Sequence, residues 1–169
     1  MAERIENRSI VSLKIFRSSL DPARQRLQLA GSLQASGSDP QSLWLGPDRW
    51  LLVSDTMAPD VIVDSCKKTL VGITHNAVDY SAGLAVFRLT GPAARQILAT
   101  GTGVDLRPTK FPTNRCCRTK LAQVAVVIVA TAPQVLEVYV DRSLATYLAD
   151  WIAESSSIYF SYLSEVPTT

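Results

Sequence analysis

Few side chains in this sequence have both the type and the neighbours to do chemistry. There is one histidine, His75, and there are three cysteines, Cys66, Cys116 and Cys117. His75 is a general-base candidate by type, but no nucleophile motif lies near it. Cys116 and Cys117 sit between Arg115 and Arg118, cations that favour the thiolate. A reactive thiol is one reading of that pair. The other is strand alternation, which turns one thiol inward and its neighbour outward. A disulfide between adjacent residues would be strained. One histidine and no Cys-x-x-Cys pair leave no metal ligand set. Dinucleotide, P-loop and nucleophile-elbow motifs are missing. The expectation is therefore no catalytic, cofactor-binding or metal-binding residue in this chain.

Charge is patchy. Arg107, Lys110, Arg115, Arg118 and Lys120 follow one another with no acid between them. Pro108, Pro112, Thr113 and Asn114 make the same stretch read as a loop. A basic loop suits an anionic ligand, an acidic partner surface or simple solvation. Phe111 alone is interleaved with these charges, too little for nucleic-acid stacking, so no nucleic acid is expected.

The elements that must position these residues come from a rather apolar chain. It has 169 residues, 47% hydrophobic and 19% charged, with a net charge of +2. Mean hydropathy is +0.12. The run from Val124 to Ala130 is far short of the roughly 20 residues a membrane span needs, so no membrane is expected. An odd thiol count and no apparent signal segment point to a reducing cytoplasm. The excess apolar surface is expected in a core and, in part, on a face that meets another protein.

Val11, Leu13 and Ile15 alternate in a strand over 10–16. Asp21 and Pro22 open a helix that Gly31 ends. Residues 42–45 and 50–53 read as strands about a Gly46-Pro47 turn. A helix follows from Pro59 to Leu70, with Val61, Ile62, Cys66 and Leu70 near one face and Gly72 as the stop. The second half repeats this order. Leu84–Leu89 is a strand, Gly91-Pro92 opens a helix and Gly101 closes it. A loop through Asp105 and Pro112 leads to a strand over Leu121–Ala130, and Val135–Val140 is another. The last helix runs from Ser143, its cap, to Ala153. Its apolar stripe is Leu144, Tyr147, Leu148, Trp151 and Ile152. Each half thus reads βαββα. Asp21-Pro22-Ala23 falls over Gly91-Pro92-Ala93 at an offset of 70 residues. The expected fold class is α+β, with mostly antiparallel sheets and helices on the sheet faces. It forms one domain, 1–169, of two packed pseudo-repeats (10–72 and 80–155), with tails at 1–8 and 157–169.

Several segments resemble, in order, those of a known family. Trp44-Leu45-Gly46-Pro47-Asp48-Arg49-Trp50-Leu51-Leu52 is similar to the LGPDEWLL segment of the gamma subunit of heterotetrameric sarcosine oxidase, with Arg49 in place of Glu. Val78-Asp79-Tyr80-Ser81 resembles its Asp-x-Ser segment. Leu89-Thr90-Gly91-Pro92-Ala93-Ala94-Arg95 with Leu98, then Val104-Asp105-Leu106, follow at the family's spacing. Arg118-Thr119 before Leu121-Ala122 and Arg142-Ser143 before Trp151 complete the series. The resemblance runs from Leu43 to Ala153. The chain is short for that family, and its first 40 residues match only in general pattern.

The resemblance implies a fold similar to the folate-binding domain of glycine-cleavage aminomethyltransferases. It implies a non-catalytic accessory subunit of an alpha-beta-gamma-delta flavoenzyme. That complex oxidises sarcosine to glycine, forms hydrogen peroxide and passes a one-carbon unit to tetrahydrofolate. FAD, FMN and NAD belong to the alpha and beta subunits and folate to alpha, the expected main partner. Trp44, Gly46, Pro47, Trp50, Asp79, Ser81, Gly91, Pro92, Arg118, Thr119, Arg142, Ser143 and Trp151 are then structural or interface residues. Asp79 and Ser81 brace a loop in this reading. The alternatives are a stand-alone folate-binding or one-carbon-transfer protein, a subunit of a related N-methyl amino acid dehydrogenase, and a small amino-acid-binding module.

Overall fold

Both faces of the central strands are buried, and this sets the architecture. The computed structural model describes residues 1–165. Along β2 (Ser9–Ile15), Val11, Leu13 and Ile15 pack in one core while Ile10 packs in another. Trp50 and Leu52 of β5 (Arg49–Ser54) separate from Leu51 and Val53 in the same way. In β9 (Val124–Ala132), Val126, Ile128 and Ala130 separate from Val127 and Val129. Period-two alternation with two apolar faces means a layer on each side of the sheet.

The remaining strands are β1 (Ala2–Ile5), β3 (Ala35–Ser36), β4 (Gln41–Gly46), β6 (His75–Asp79), β7 (Leu84–Thr90), β8 (Cys116–Leu121) and β10 (Val135–Asp141). The helices are α1 (Leu20–Leu27), α2 (Pro59–Thr69), α3 (Ala94–Ala99) and α4 (Ala145–Glu165). The first sheet has order β3-β4-β5-β2-β6 and the second β1-β7-β10-β9-β8. All their pairings are antiparallel. One core lies between the first sheet and α1 and α2, and a second between the other sheet and α3 and α4. A third, with Leu43, Leu51, Val53, Val127, Val129 and Tyr139, lies between the two sheets. The fold class is mixed α+β with two antiparallel sheets, as expected. Helices cover one face of each sheet, however, not both. The apolar excess fills this extra inter-sheet layer.

The edges cross over. β1 precedes the first sheet in the chain but pairs with β7 of the second, Ala2 opposite Leu89. β6 follows α2 and closes the first sheet against β2. Residues 2–5, expected in a tail, are therefore a strand. Residues 157–165, also expected in a tail, continue α4, while residues 166–169 lie outside the described part. Helix α4 buries Ala145, Leu148 and Ile152, whereas Leu144 and Tyr147 of the expected stripe are exposed. Val61 on α2 is likewise exposed. Helix α1 ends at Gln28, in the left-handed region at φ 51°, three residues before Gly31. Leu29 N–H closes that end on Arg24 O at 3.0 Å, a Schellman closure made without glycine.

The segment read as a loop up to Lys120 is β8 from Cys116 on, and the expected strand over Leu121–Ala130 is broken by a hairpin turn. Ala122 and Gln123 take φ values of 49° and 76° there. Neither is a residue that advertises such a turn, so the sequence hides it.

Candidate functional site

The strongest polar cluster lies between the sheets. Glu137 is the buried acid of β10, 2% exposed, whereas Asp141 is exposed at the end of that strand. Its Oε1 accepts from Arg88 Nη2 at 2.8 Å and Nε at 3.1 Å. Its Oε2 accepts from Arg8 Nη1 and, at 2.8 Å, from Tyr139 OH. Arg8, just ahead of β2, also donates to Asp55 at 2.8 and 2.9 Å and to Tyr139 Oη at 2.9 Å. One guanidinium thus ties the end of β5 to β10 across the inter-sheet layer.

The electrostatics follow from these bonds. Burial by itself would raise the Glu137 pKa, but the bonds from Arg8, Arg88 and Tyr139 bring it below its ordinary value. The bond from Arg8 lowers Asp55. Burial raises Tyr139 well above the ordinary phenol.

A cleft of about 550 Å³ runs past this cluster, lined by Arg8, Asp39, Asp55, Arg88 and Glu137 among others. Asp39 accepts from the Thr56 hydroxyl, and Arg88 also pairs with Glu3 at 3.6 Å. All five charged lining groups are therefore engaged within the protein. Sequence reasoning left Arg8 in a tail and passed over Glu137. The signal was Glu137 itself, since an acid set among Val135, Leu136, Val138 and Val140 in a strand buried on both faces requires a cation beside it.

Two turns share one geometry. Asp79 Oδ1 accepts from Ser81 N–H at 2.9 Å and Ser81 Oγ at 2.6 Å. Asp141 Oδ1 accepts from Ser143 N–H at 3.0 Å and Ser143 Oγ at 2.6 Å. Ser81 Oγ in addition accepts from Ile10 N–H at 2.9 Å, bracing the exit of β6 on β2. The Asp79 carboxylate is thus turned onto its own loop. Asp141, rather than Ser143, accepts at the start of the last helical segment. Arg142 joins the two turns, donating to Ala82 O at 2.7 Å and Leu84 O at 3.0 Å. A cleft between β1 and this corner is lined by Ile5, Arg8, Ser81 and Arg142.

The residues first considered for chemistry are spent elsewhere. Cys66, Cys116 and Cys117 are all buried. Alternation does place Cys116 and Cys117 in different cores, but neither faces outward because both sheet faces are covered. Burial pushes Cys66 to about 11, Cys116 to about 12 and Cys117 to about 11. The thiolate reading therefore fails, despite Arg115 beside Cys117. His75, the first residue of β6, has its Nδ1 2.8 Å from Ile73 O, just ahead of the strand. In the basic stretch, Arg107 is bound to Asp105 at 2.9 and 3.0 Å, and Arg118 and Lys120 project from β8 into solvent. The Arg107 bonds hold the Asp105 carboxyl at about 2.

The remaining motif residues shape turns and cores. Trp50 is fully buried and its Nε1 donates to Ala30 O at 2.9 Å, which excludes it from any interface. Trp44 is half-buried against the same core. Gly46 and Arg49 close the β4–β5 hairpin around an exposed Pro47. Gly91 has φ 114°, where a side chain is strained, and Pro92 leads into α3. The Thr119 hydroxyl lies 3.4 Å from that of Thr102. Trp151 packs against Gly101. Among the described residues no group of three or more His, Cys, Asp or Glu is placed to hold a metal ion. No helix there is long and apolar enough to cross a membrane.

With this geometry in hand, comparisons with known proteins agree with one another. The model of the SoxG family (sarcosine oxidase, gamma subunit family) matches residues 18–158. The sarcosine oxidase subunit gamma of Corynebacterium sp. (strain U-96) is 29% identical over 127 residues, 75% of this chain and 61% of that protein. The corresponding subunit of Arthrobacter sp is 27% identical over 137 residues, 79% of this chain and 65% of that protein. The chain thus spans less than two thirds of the length of these relatives. A chain of the heterotetrameric sarcosine oxidase from Corynebacterium sp. U-96, solved with pyrrole 2-carboxylate, aligns with TM-score 0.84 and 23% identity, covering 100% of this chain and 87% of that one. Glycine cleavage system aminomethyltransferase T from Bartonella henselae aligns with TM-score 0.66 and 13% identity over 89% of this chain and 44% of that one. At such identities the structural likeness is one of fold.

Proposed function

The chain belongs to the sarcosine oxidase, gamma subunit family, and from that premise we propose that it is a non-catalytic accessory subunit of a sarcosine oxidase-type flavoenzyme. The match of the family model to residues 18–158 carries the reading. In it, the assembly is a heterotetramer. The partners are alpha, beta and delta subunits, with the FAD, FMN and NAD sites on alpha and beta and the tetrahydrofolate site on alpha. The complex oxidises sarcosine to glycine, forming hydrogen peroxide and passing the one-carbon unit to tetrahydrofolate. This chain contributes structure, in keeping with charged groups that are spent on one another between its sheets. Its direct neighbour is the large alpha subunit, and the exposed Pro47 and Arg118 are candidate contacts. The chain acts as one domain of two pseudo-repeats, 10–72 and 80–155. Its compartment is the cytoplasm, where the buried thiols stay reduced.

An affinity tag on this chain, co-expressed with the three other subunits, tests the proposal. One size-exclusion peak is expected to carry this chain together with flavin absorbance. Elution of the chain apart from the flavoprotein overturns it.

A further inference from the structure

A second cleft, of about 370 Å³, lies away from the inter-sheet cluster, between α3, the loop through Asp105 and the β9–β10 turn. Its lining is largely apolar and includes Pro92, Ala99, Val104, Leu106 and Pro133. Arg95 also lines it, yet is only 8% exposed. Arg95 Nε donates to Pro133 O at 3.1 Å, and Nη1 donates to Leu106 O at 2.6 Å and to Phe111 O at 2.9 Å. Nη2 is buried and has no hydrogen-bond partner among the described residues. The nearby acid, Asp105, is occupied by Arg107 at the rim. A buried cation with carbonyl partners alone is undercompensated, and burial accordingly pushes its pKa below the ordinary value. A fully unused nitrogen adds the cost of an unmade charged hydrogen bond.

What would relieve both is an oxygen anion on a small apolar body. We propose that this cleft binds a carboxylate, its oxygen accepting from Arg95 Nη2 and its hydrocarbon part lying against Ala99, Val104 and Pro133. The volume suits a small organic acid or a single acidic side chain of a partner, and a guanidinium is the group best matched to a carboxylate. This site is independent of the accessory-subunit reading, because it needs only this chain.

Calorimetric titration of the full chain with benzoate, against benzamide as the uncharged isostere, tests the site. Saturable benzoate binding is expected, with benzamide at least about tenfold weaker. Arg95 also ties α3 to two loops, so Arg95→Met alters folding as well as binding. Ala99→Trp fills the cleft from an exposed position and keeps the guanidinium; it is expected to abolish benzoate binding while the melting temperature stays near that of the parent. The same titration on the assembled complex separates the sources. Lost binding there assigns the cleft to a partner's carboxylate, and retained binding assigns it to a free acid. Equal binding of benzoate and benzamide, no binding of either by the full chain, or benzoate binding that survives Ala99→Trp overturns the proposal.

Discussion

Gly101 and Trp151 form a matched pair: a Cβ at Gly101 would stand 2.7 Å from Trp151 Cη2, and nearer still to Cζ2. The indole of α4 fills the space a side chain would take. Gly101→Ala is therefore expected to overpack this corner and destabilise the fold by about 1–3 kcal/mol. In a Trp151→Ala background the same substitution should cost far less, a coupling that thermal melts of the four proteins would read as a double-mutant cycle. Equal costs in both backgrounds would refute the pairing.

The turn beside that pair holds two non-glycine residues at positive φ, Ala122 and Gln123. Ala122 N–H donates to Gly101 O at 3.0 Å, and Tyr147 OH donates to Ala122 O. Gln123 has φ 76° and forms none of those bonds. Gln123→Gly should relieve left-handed strain and stabilise the protein by about 1 kcal/mol, measured by urea unfolding. An unchanged or lowered midpoint would contradict this.

Stability should fall in acid through Glu137 and Asp55. Both titrate lower in the folded chain than their ordinary values of 4.5 and 3.8. A depressed carboxyl stabilises fully above its unfolded pKa, and that contribution disappears as pH falls through the folded value. Glu137→Gln leaves Arg8 and Arg88 without their shared anion and is expected to cost about 3 kcal/mol at neutral pH. It should also flatten the decline of the unfolding midpoint in acid. A mutant curve parallel to that of the parent would remove Glu137 as a cause.

Thiol reactivity offers a direct check on burial. With pKa values pushed up to about 11 or 12 and no exposed sulfur, a disulfide reagent near neutral pH should titrate none of Cys66, Cys116 and Cys117 rapidly in the native chain. Guanidinium should release all three. One fast native thiol would show that a core is open.

Legibility in the sequence tracked the strength of local chemistry. Pro47 and its flanking strands specified the β4–β5 hairpin, and the period of Ile62, Cys66 and Leu70 specified α2. The βαββα order rested on the same grounds, but each half carries three strands between its helices, with β3 in the first and β8 in the second added to the expected pair. Strands β1, β3, β6 and β8 were not, since edge strands are short, polar and set by their partners rather than by propensity. His75–Asp79 carries no alternation to speak of and becomes a strand because β2 offers an open edge. Ala122 and Gln123 gave no turn signal because tertiary bonds hold them there. In the candidate sites, the loop formed by Asp79 and Ser81 was read from a family segment, whereas the cap expected at Ser143 is made by Asp141. Arg8 with Glu137, and the orphaned nitrogen of Arg95, depend on which segments meet in space.

The exchanged edge strands also dictate an order of assembly. β1 leaves the ribosome first, but its partner Leu89 lies 87 residues behind Ala2. While the first sheet assembles, β1 is a spare strand next to a growing edge, the situation that invites wrong pairing. Its sequence, Ala2-Glu3-Arg4-Ile5, places two charges in four residues and keeps that strand in water until β7 arrives. The chain therefore locks at its beginning only after its second half exists, and either half taken alone would lack an edge strand of its sheet.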